Sequence, residues 1–147
     1  MILRLGEPRQ CHRRYALRPG AYAVLPRSGK LLLTVQFGHE IEIQLPGGGI
    51  DVGESIIAAL HREVFEETGW RIATPRRLGA FRRFVFLPEY DLWAEKICHV
   101  FLARPTRSVS PPIDRDHEVL WAVPQRAICL LNHEGDRFFA SEVIERL

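Results

Sequence analysis

Residues 48–70 read GGIDVGESIIAALHREVFEETGW, and the reading of the fold turns on them. Ser55 is a good helix N-cap, the stretch through Thr68 is rich in helix formers, and Gly69 stands where a left-handed C-terminal residue belongs. A helix over Ser55–Thr68 is therefore expected, with Ile57, Leu60 and Val64 on its buried face. Glu63, Glu66 and Glu67 are spaced i, i+3 and i+4, so all three carboxylates rise from one side of that helix. That side is centred about a quarter turn from the apolar face, so the helix can bury one and present the other at a cleft edge.

Three close carboxylates repel one another unless solvent, a cation or a basic neighbour compensates. An oxygen-only cluster suits Mg²⁺, which is held by few carboxylates together with waters and substrate phosphates. Just upstream, Leu45-Pro46-Gly47-Gly48-Gly49 brings a backbone without side-chain bulk beside Asp51 and Glu54. Backbone groups can there help to bind a metal or a phosphate.

Gly48, five residues, Glu54, seven residues, Arg62-Glu63, Val64, Phe65, Glu66-Glu67, Thr68, Gly69 and Trp70 together resemble the complete signature box of the Nudix hydrolase family. Seven identities at fixed spacing arise by chance about once in a million or less. Val52 stands where proline is frequent, and Trp70 is a large aromatic at the closing hydrophobic position. The resemblance implies an α/β (α+β) fold, an α/β/α sandwich with a mixed β-sheet and the box helix. It also implies Mg²⁺-dependent hydrolysis, with Mn²⁺ as a substitute, of a phosphoanhydride bond in a nucleoside diphosphate linked to another moiety. Water would attack phosphorus.

On this resemblance Glu66 and Glu67 are expected as direct metal ligands, and Glu63 as a further ligand or as the base that deprotonates water. Gly48 would offer its carbonyl. Arg62 would pair with Glu54 or another box glutamate and orient the cluster, and which carboxylate serves as base stays open. Family members also recruit a later-loop acid, for which Asp116 and Glu118 lead, with Glu95 and Asp114 behind them; Glu54 is a further candidate. The proline of ADP-ribose hydrolases and the tyrosine of many dinucleoside polyphosphate hydrolases are absent from the matching region, and no coenzyme A signature stands out.

Outward from the box, Ala21–Leu25, Leu31–Val35 and the alternating Glu40–Leu45 read as strands. Beyond it, Leu78–Leu87 and Lys96–Ala103 read as strands, Pro105–His117 as a loop and Val119–Val123 as a short strand. Pro124 opens a helix through Leu131, and Ala140–Leu147 forms a terminal turn or helix. Tyr22, Phe84, Phe86, Tyr90 and Trp93 include candidates for base stacking, and Arg82 and Arg83 for phosphate contact. Adjacent on a strand, those two arginines cannot face one cleft together. Cys98 and His99 are likewise split between faces and do not form a nucleophile and base.

With 147 residues the chain suits a single domain over 1–147, in which residues 1–18 form a flexible basic segment. That segment holds Arg4, Arg9, Arg13, Arg14 and Arg18 against Glu7, although the net charge is only +2. Such a balance excludes a general polyanion binder. Three widely spaced cysteines fit reduced thiols in the cytoplasm, and no apolar run spans a membrane. Two other functions compete: removal of diphosphate from an RNA 5′ end, with the N-terminal arginines on phosphate, and a catalytically silent nucleotide-binding regulatory domain. Homodimerisation is open.

Overall fold

The computed structural model describes residues 2–146; Met1 and Leu147, the ends of the expected domain, lie outside the described residues. The strands are β1 (Leu3–Arg4), β2 (Ala16–Val24), β3 (Pro26–Arg27), β4 (Lys30–Phe37), β5 (Ile41–Gln44), β6 (Gly47–Gly49), β7 (Trp70–Leu87), β8 (Leu92–Ser108) and β9 (His117–Ala122). The helices are α1 (Ile56–Thr68), α2 (Pro124–Leu130) and α3 (Glu134–Glu145), with a 3-10 turn at Pro88–Tyr90. One mixed sheet runs β1-β7-β8-β2-β6, and a second runs β3-β4-β5 with β9 paired to β4. β2 and β8 lie parallel, from Ala16 beside Ala94 to Val24 beside Leu102.

Alternation along β2 sends side chains to opposite faces and so builds two cores. Ala21, Ala23 and Leu25 pack with Leu60 and Val64 of α1, while Tyr22 and Val24 pack with Leu31, Leu33 and the α3 residues Phe139, Ala140 and Val143. The result is the expected α/β/α sandwich around a mixed sheet.

α1 begins where Ser55 Oγ accepts the Ala58 N–H at 3.0 Å and ends at Gly69, whose φ is 74°. Its buried face is Ala59, Leu60, Val64, Glu67 and Thr68. Ile57, expected on that face, is 39% exposed, because it lies at the face's edge in the first turn and Ile56 makes the contact instead. The later loop is also shorter than expected: residues 105–108 are strand, since β7 and β8 form one long hairpin that absorbs its prolines at register shifts.

The remaining loop caps α1. Val109 N–H donates to Gly69 O at 2.9 Å, and Ile113 and Asp114 N–H both donate to Glu66 O at 2.9 Å. These bonds satisfy carbonyls that a helix end leaves free. A Cβ on Gly69 would run into the Ser110 carbonyl and force a side chain into left-handed backbone. Gly69→Ala is therefore expected to cost about 2 kcal/mol or more, read as a lower urea midpoint at unchanged slope. An unchanged midpoint would show that the junction is not held as described.

The N-terminal segment touches the sheet at several places. Leu3 and Arg4 pair in parallel with Phe81 and Arg82 of β7, and Gly6 N–H donates to Glu134 at 2.8 Å.

Candidate active site

Glycines set the floor of the site. β6 is antiparallel to β2, with Gly47 opposite Tyr22 and Gly48 opposite Ala21. Gly48 has no side chain, and this lets the Glu63 carboxylate lie against its backbone, in space that a Cβ would fill. Gly47 N–H donates to Glu67 Oε1 at 3.1 Å. The sheet edge and α1 are thus joined through two of the expected carboxylates.

Arg62 is the hub of the cluster. Its guanidinium donates to both Glu54 oxygens at 2.8 Å, to Glu63 Oε1 at 2.9 Å and to Gly49 O at 2.9 Å. Glu66 lies at 3.4 Å and Asp51 at 3.5 Å. The paired contacts to Glu54 use the planar fork in a way a point charge does not match. Arg62, helped by the Asp51 N–H, holds the Glu54 carboxyl down at about 2. Burial instead pushes the Glu63 carboxyl up, against the pull of Arg62.

Glu67 is more enclosed still, only 6% exposed. His117 Nε2 lies 3.2 Å from its Oε2, and His117 Nδ1 lies 3.1 Å from Asp114 Oδ2, buried without an aligned hydrogen-bond partner. Burial drives the Glu67 carboxyl well above the usual carboxylate range, with the Gly47 N–H pulling the other way. Burial also lowers the His117 imidazole, against the pull of Asp114.

A carboxyl whose folded pKa is raised favours folding below its unfolded value, near 4.5, and loses that contribution as pH rises through the folded value. At neutral pH the buried Glu67 carboxyl therefore burdens the metal-free fold. Glu67→Gln, which keeps an acceptor for Gly47, is expected to raise metal-free stability by about 1 kcal/mol at neutral pH, with the gain shrinking as pH falls toward about 4.5 and lost below it. Thermal unfolding in EDTA across pH checks this; a destabilised variant at pH 7 would contradict it.

The donor chemistry fits a hard divalent ion. Glu63, Glu66 and Glu67 supply carboxylate oxygens, and the bare Gly48 backbone leaves room beside them. Among the described residues no three His, Cys, Asp or Glu side chains already stand in metal-holding geometry. Arg62 shares Glu63 and Glu66, so these two would have to turn from it to bind an ion.

The structure gathers Arg62, Glu54, Glu63, Glu66, Glu67 and Gly48 at one strand-to-helix junction. Of the later acids, Asp114 reaches the cluster through His117, whereas Asp116 is exposed in the loop and gives only its backbone N–H to Asp114 Oδ1, and Glu118 is exposed on β9. Glu95 is paired with Arg82 at 3.2 Å. Arg83 lines a cavity of about 450 Å³ with His133 and Arg137. Trp93 lies under the Arg13 guanidinium at 3.7 Å, and Tyr90 lies beneath that of Arg18 at 5.0 Å. His117 is not among the residues expected from sequence; its one signal there is its place after Asp114 and Asp116 at the start of a strand. Burial holds the Cys98 thiol up at about 11, so it is no nucleophile.

A sequence profile described as the NUDIX domain matches residues 15–147. A Bacillus subtilis (strain 168) protein with the provisional name 8-oxo-dGTP diphosphatase is 34% identical over 74 residues, covering 50% of each chain. A Bacillus subtilis (strain 168) ADP-ribose pyrophosphatase is 36% identical over 90 residues, 58% of this chain and 45% of that protein. The chain thus spans about half the length of the curated relatives it matches. Among solved structures, a MutT protein from Bacillus halodurans superposes with a TM-score of 0.70 at 22% identity, covering 86% of this chain and 81% of its own. A NUDIX hydrolase from Nitrosomonas europaea gives 0.69 at 20% identity, covering 89% and 90%. At these identities the two structures speak for the fold.

Proposed function

This chain belongs to the NUDIX domain family, and from that premise we propose that it is a Mg²⁺-dependent hydrolase of a phosphoanhydride bond in a nucleoside diphosphate linked to another group. The observation that carries the reading is the convergence of Glu54, Glu63, Glu66 and Glu67 on one strand-to-helix junction, the first three around one arginine, beside the bare Gly48 backbone. Two relatives are named for diphosphatase or pyrophosphatase activity on nucleotides, which supports the substrate class.

Glu63, Glu66 and Glu67, with the Gly48 carbonyl, would hold the ion. When bound, Mg²⁺ offsets phosphate charge and lowers the pKa of an attacking water. The protein's own part is to keep its carboxylates in different states. Arg62 fixes Glu54 as an anion, burial makes Glu63 a better proton acceptor than an exposed carboxylate, and His117 backs Glu67. Glu63 is accordingly the preferred base. Three free thiols support a cytoplasmic setting, and among the described residues no helix is long and apolar enough to cross a membrane.

The test is a panel of nucleoside triphosphates, ADP-ribose, nucleotide sugars, dinucleoside polyphosphates and 5′-triphosphorylated RNA, incubated with Mg²⁺ or Mn²⁺ and resolved by mass spectrometry. Cleavage between two phosphates, abolished by EDTA, is expected. Binding without turnover across the panel would make the chain a regulatory nucleotide-binding domain instead. The arginines stacked on Tyr15, Tyr90 and Trp93 favour RNA as the second reading; preferential attack on the RNA end would establish it.

A further inference from the structure

Three cations stand in one row across the main sheet. Arg18 of β2 is paired with Lys96 of β8, and Lys96 is paired with Arg83 of β7. Residues directly opposite one another project to the same face. One row further along, Gly20, Cys98 and Phe81 follow, and then Tyr22, so the cations share the face that carries the α3-side core.

Like charges directly opposite destabilise a strand pair unless something offsets them. Among the described residues neither Lys96 nor Arg83 forms a salt bridge. Of the acids nearby, Glu7 and Glu134 line the same cavity as Arg83 together with Arg137, and Glu134 accepts the Gly6 N–H at 2.8 Å. Glu95 turns to the opposite face and pairs with Arg82 at 3.2 Å, and Glu42 lies 3.3 Å from His133. Asp136 acts on both cations, but it is buried, accepts the Leu45 N–H at 3.1 Å and offsets at most one charge.

The row also has space and position. Arg83 opens onto the cavity of about 450 Å³. The Lys96 ammonium lies 5.6 Å from the Tyr22 ring centroid, and Tyr22 stands opposite Gly47, whose N–H holds Glu67. Lys96 is near enough to Glu67 to favour its charged form. The surplus of positive charge therefore lies beside the acidic cluster, centred on strands inward of the β6 edge.

We propose that Arg83 and Lys96, with Arg18 at the outer end of the row, form an anion subsite that takes a phosphate group. Side chains rising from opposed positions about 5 Å apart can converge on one tetrahedral oxyanion, the guanidinium through its fork and the ammonium as a point charge. The phosphate is either a second phosphate of the substrate, remote from the bond cut, or free orthophosphate. Only the first case rests on the hydrolase reading.

The test titrates orthophosphate into the metal-free protein by calorimetry in EDTA, where the acidic cluster repels the ion. Saturable binding is expected, weakened at least tenfold by Lys96→Met and by Arg83→Gln and retained by Glu66→Gln. Retention in that variant separates the subsite from turnover. Lys96→Met is expected to keep or raise the thermal midpoint, since it removes a half-buried charge with no ion-pair partner among the described residues. No binding by the parent protein overturns the subsite. So does affinity unchanged in both variants, including where Lys96→Met lowers the midpoint as a merely structural lysine would. With Mg²⁺, KM is then compared for substrate pairs differing by one remote phosphate. A rise in Arg83→Gln for the phosphorylated member alone assigns the phosphate to substrate; equal KM values with weaker orthophosphate inhibition assign it to the free ion.

Discussion

Glu66→Gln lowers kcat by about 10³-fold at saturating Mg²⁺, the scale on which a principal electrostatic contact to the transition state is lost, while the fold is retained. Glu66 is the most open to solvent of the three helix carboxylates, with 39% of its side chain exposed, and its contact with Arg62 is the long one at 3.4 Å. It is thus the acid freest to exchange arginine for a divalent ion. The amide keeps the size and one oxygen but removes the charge, so loss of activity with an unchanged circular dichroism spectrum separates metal holding from folding. Turnover within about tenfold of the parent would remove Glu66 from the metal site.

Arg62→Lys is expected to cost about 10- to 100-fold in activity or metal affinity, the usual effect of losing a group that orients metal ligands. Positive charge is conserved, so the loss reads the guanidinium geometry. One fork cannot be replaced by an ammonium that must hold both Glu54 oxygens, Glu63 and the Gly49 carbonyl together. In that variant the Glu54 carboxyl loses the bidentate pairing that holds it at about 2, and titration of the group followed by NMR should show its pKa rising. Full activity and unchanged magnesium dependence would contradict the role.

Much of the catalytic cluster is legible in the sequence because its determinants are local. A helix spacing of three and four residues puts Glu63, Glu66 and Glu67 together whatever the rest of the chain does, and the cap at Ser55 and the left-handed Gly69 mark the ends by their own chemistry. Ile57 is misplaced by its pattern because its neighbour Ile56 competes for the same face, and packing against the sheet decides between them. The extent of β7 and β8 is hidden for a different reason. Their register shifts around the proline-containing stretches, and bulges follow from pairing across the hairpin rather than from either strand alone.

His117 and the Arg18-Lys96-Arg83 row are not legible in the sequence for the same physical cause. His117 meets Glu67 only because β9 pairs with β4 and its preceding loop caps α1. The cations align only through two strand registers that join segments far apart in sequence. Hydrophobic period tells which face a residue takes on its own strand, but the residue opposite it is set by the tertiary fold.

The most direct test of water attack at phosphorus is turnover of the cleaved substrate in ¹⁸O-labelled water with Mg²⁺, with Glu66→Gln run alongside. The predicted result is one labelled oxygen in a phosphate-containing product of the parent protein, with negligible product from the variant. Label absent from phosphate, or the same labelled product formed at equal rate by Glu66→Gln, would contradict carboxylate-held metal hydrolysis at this site.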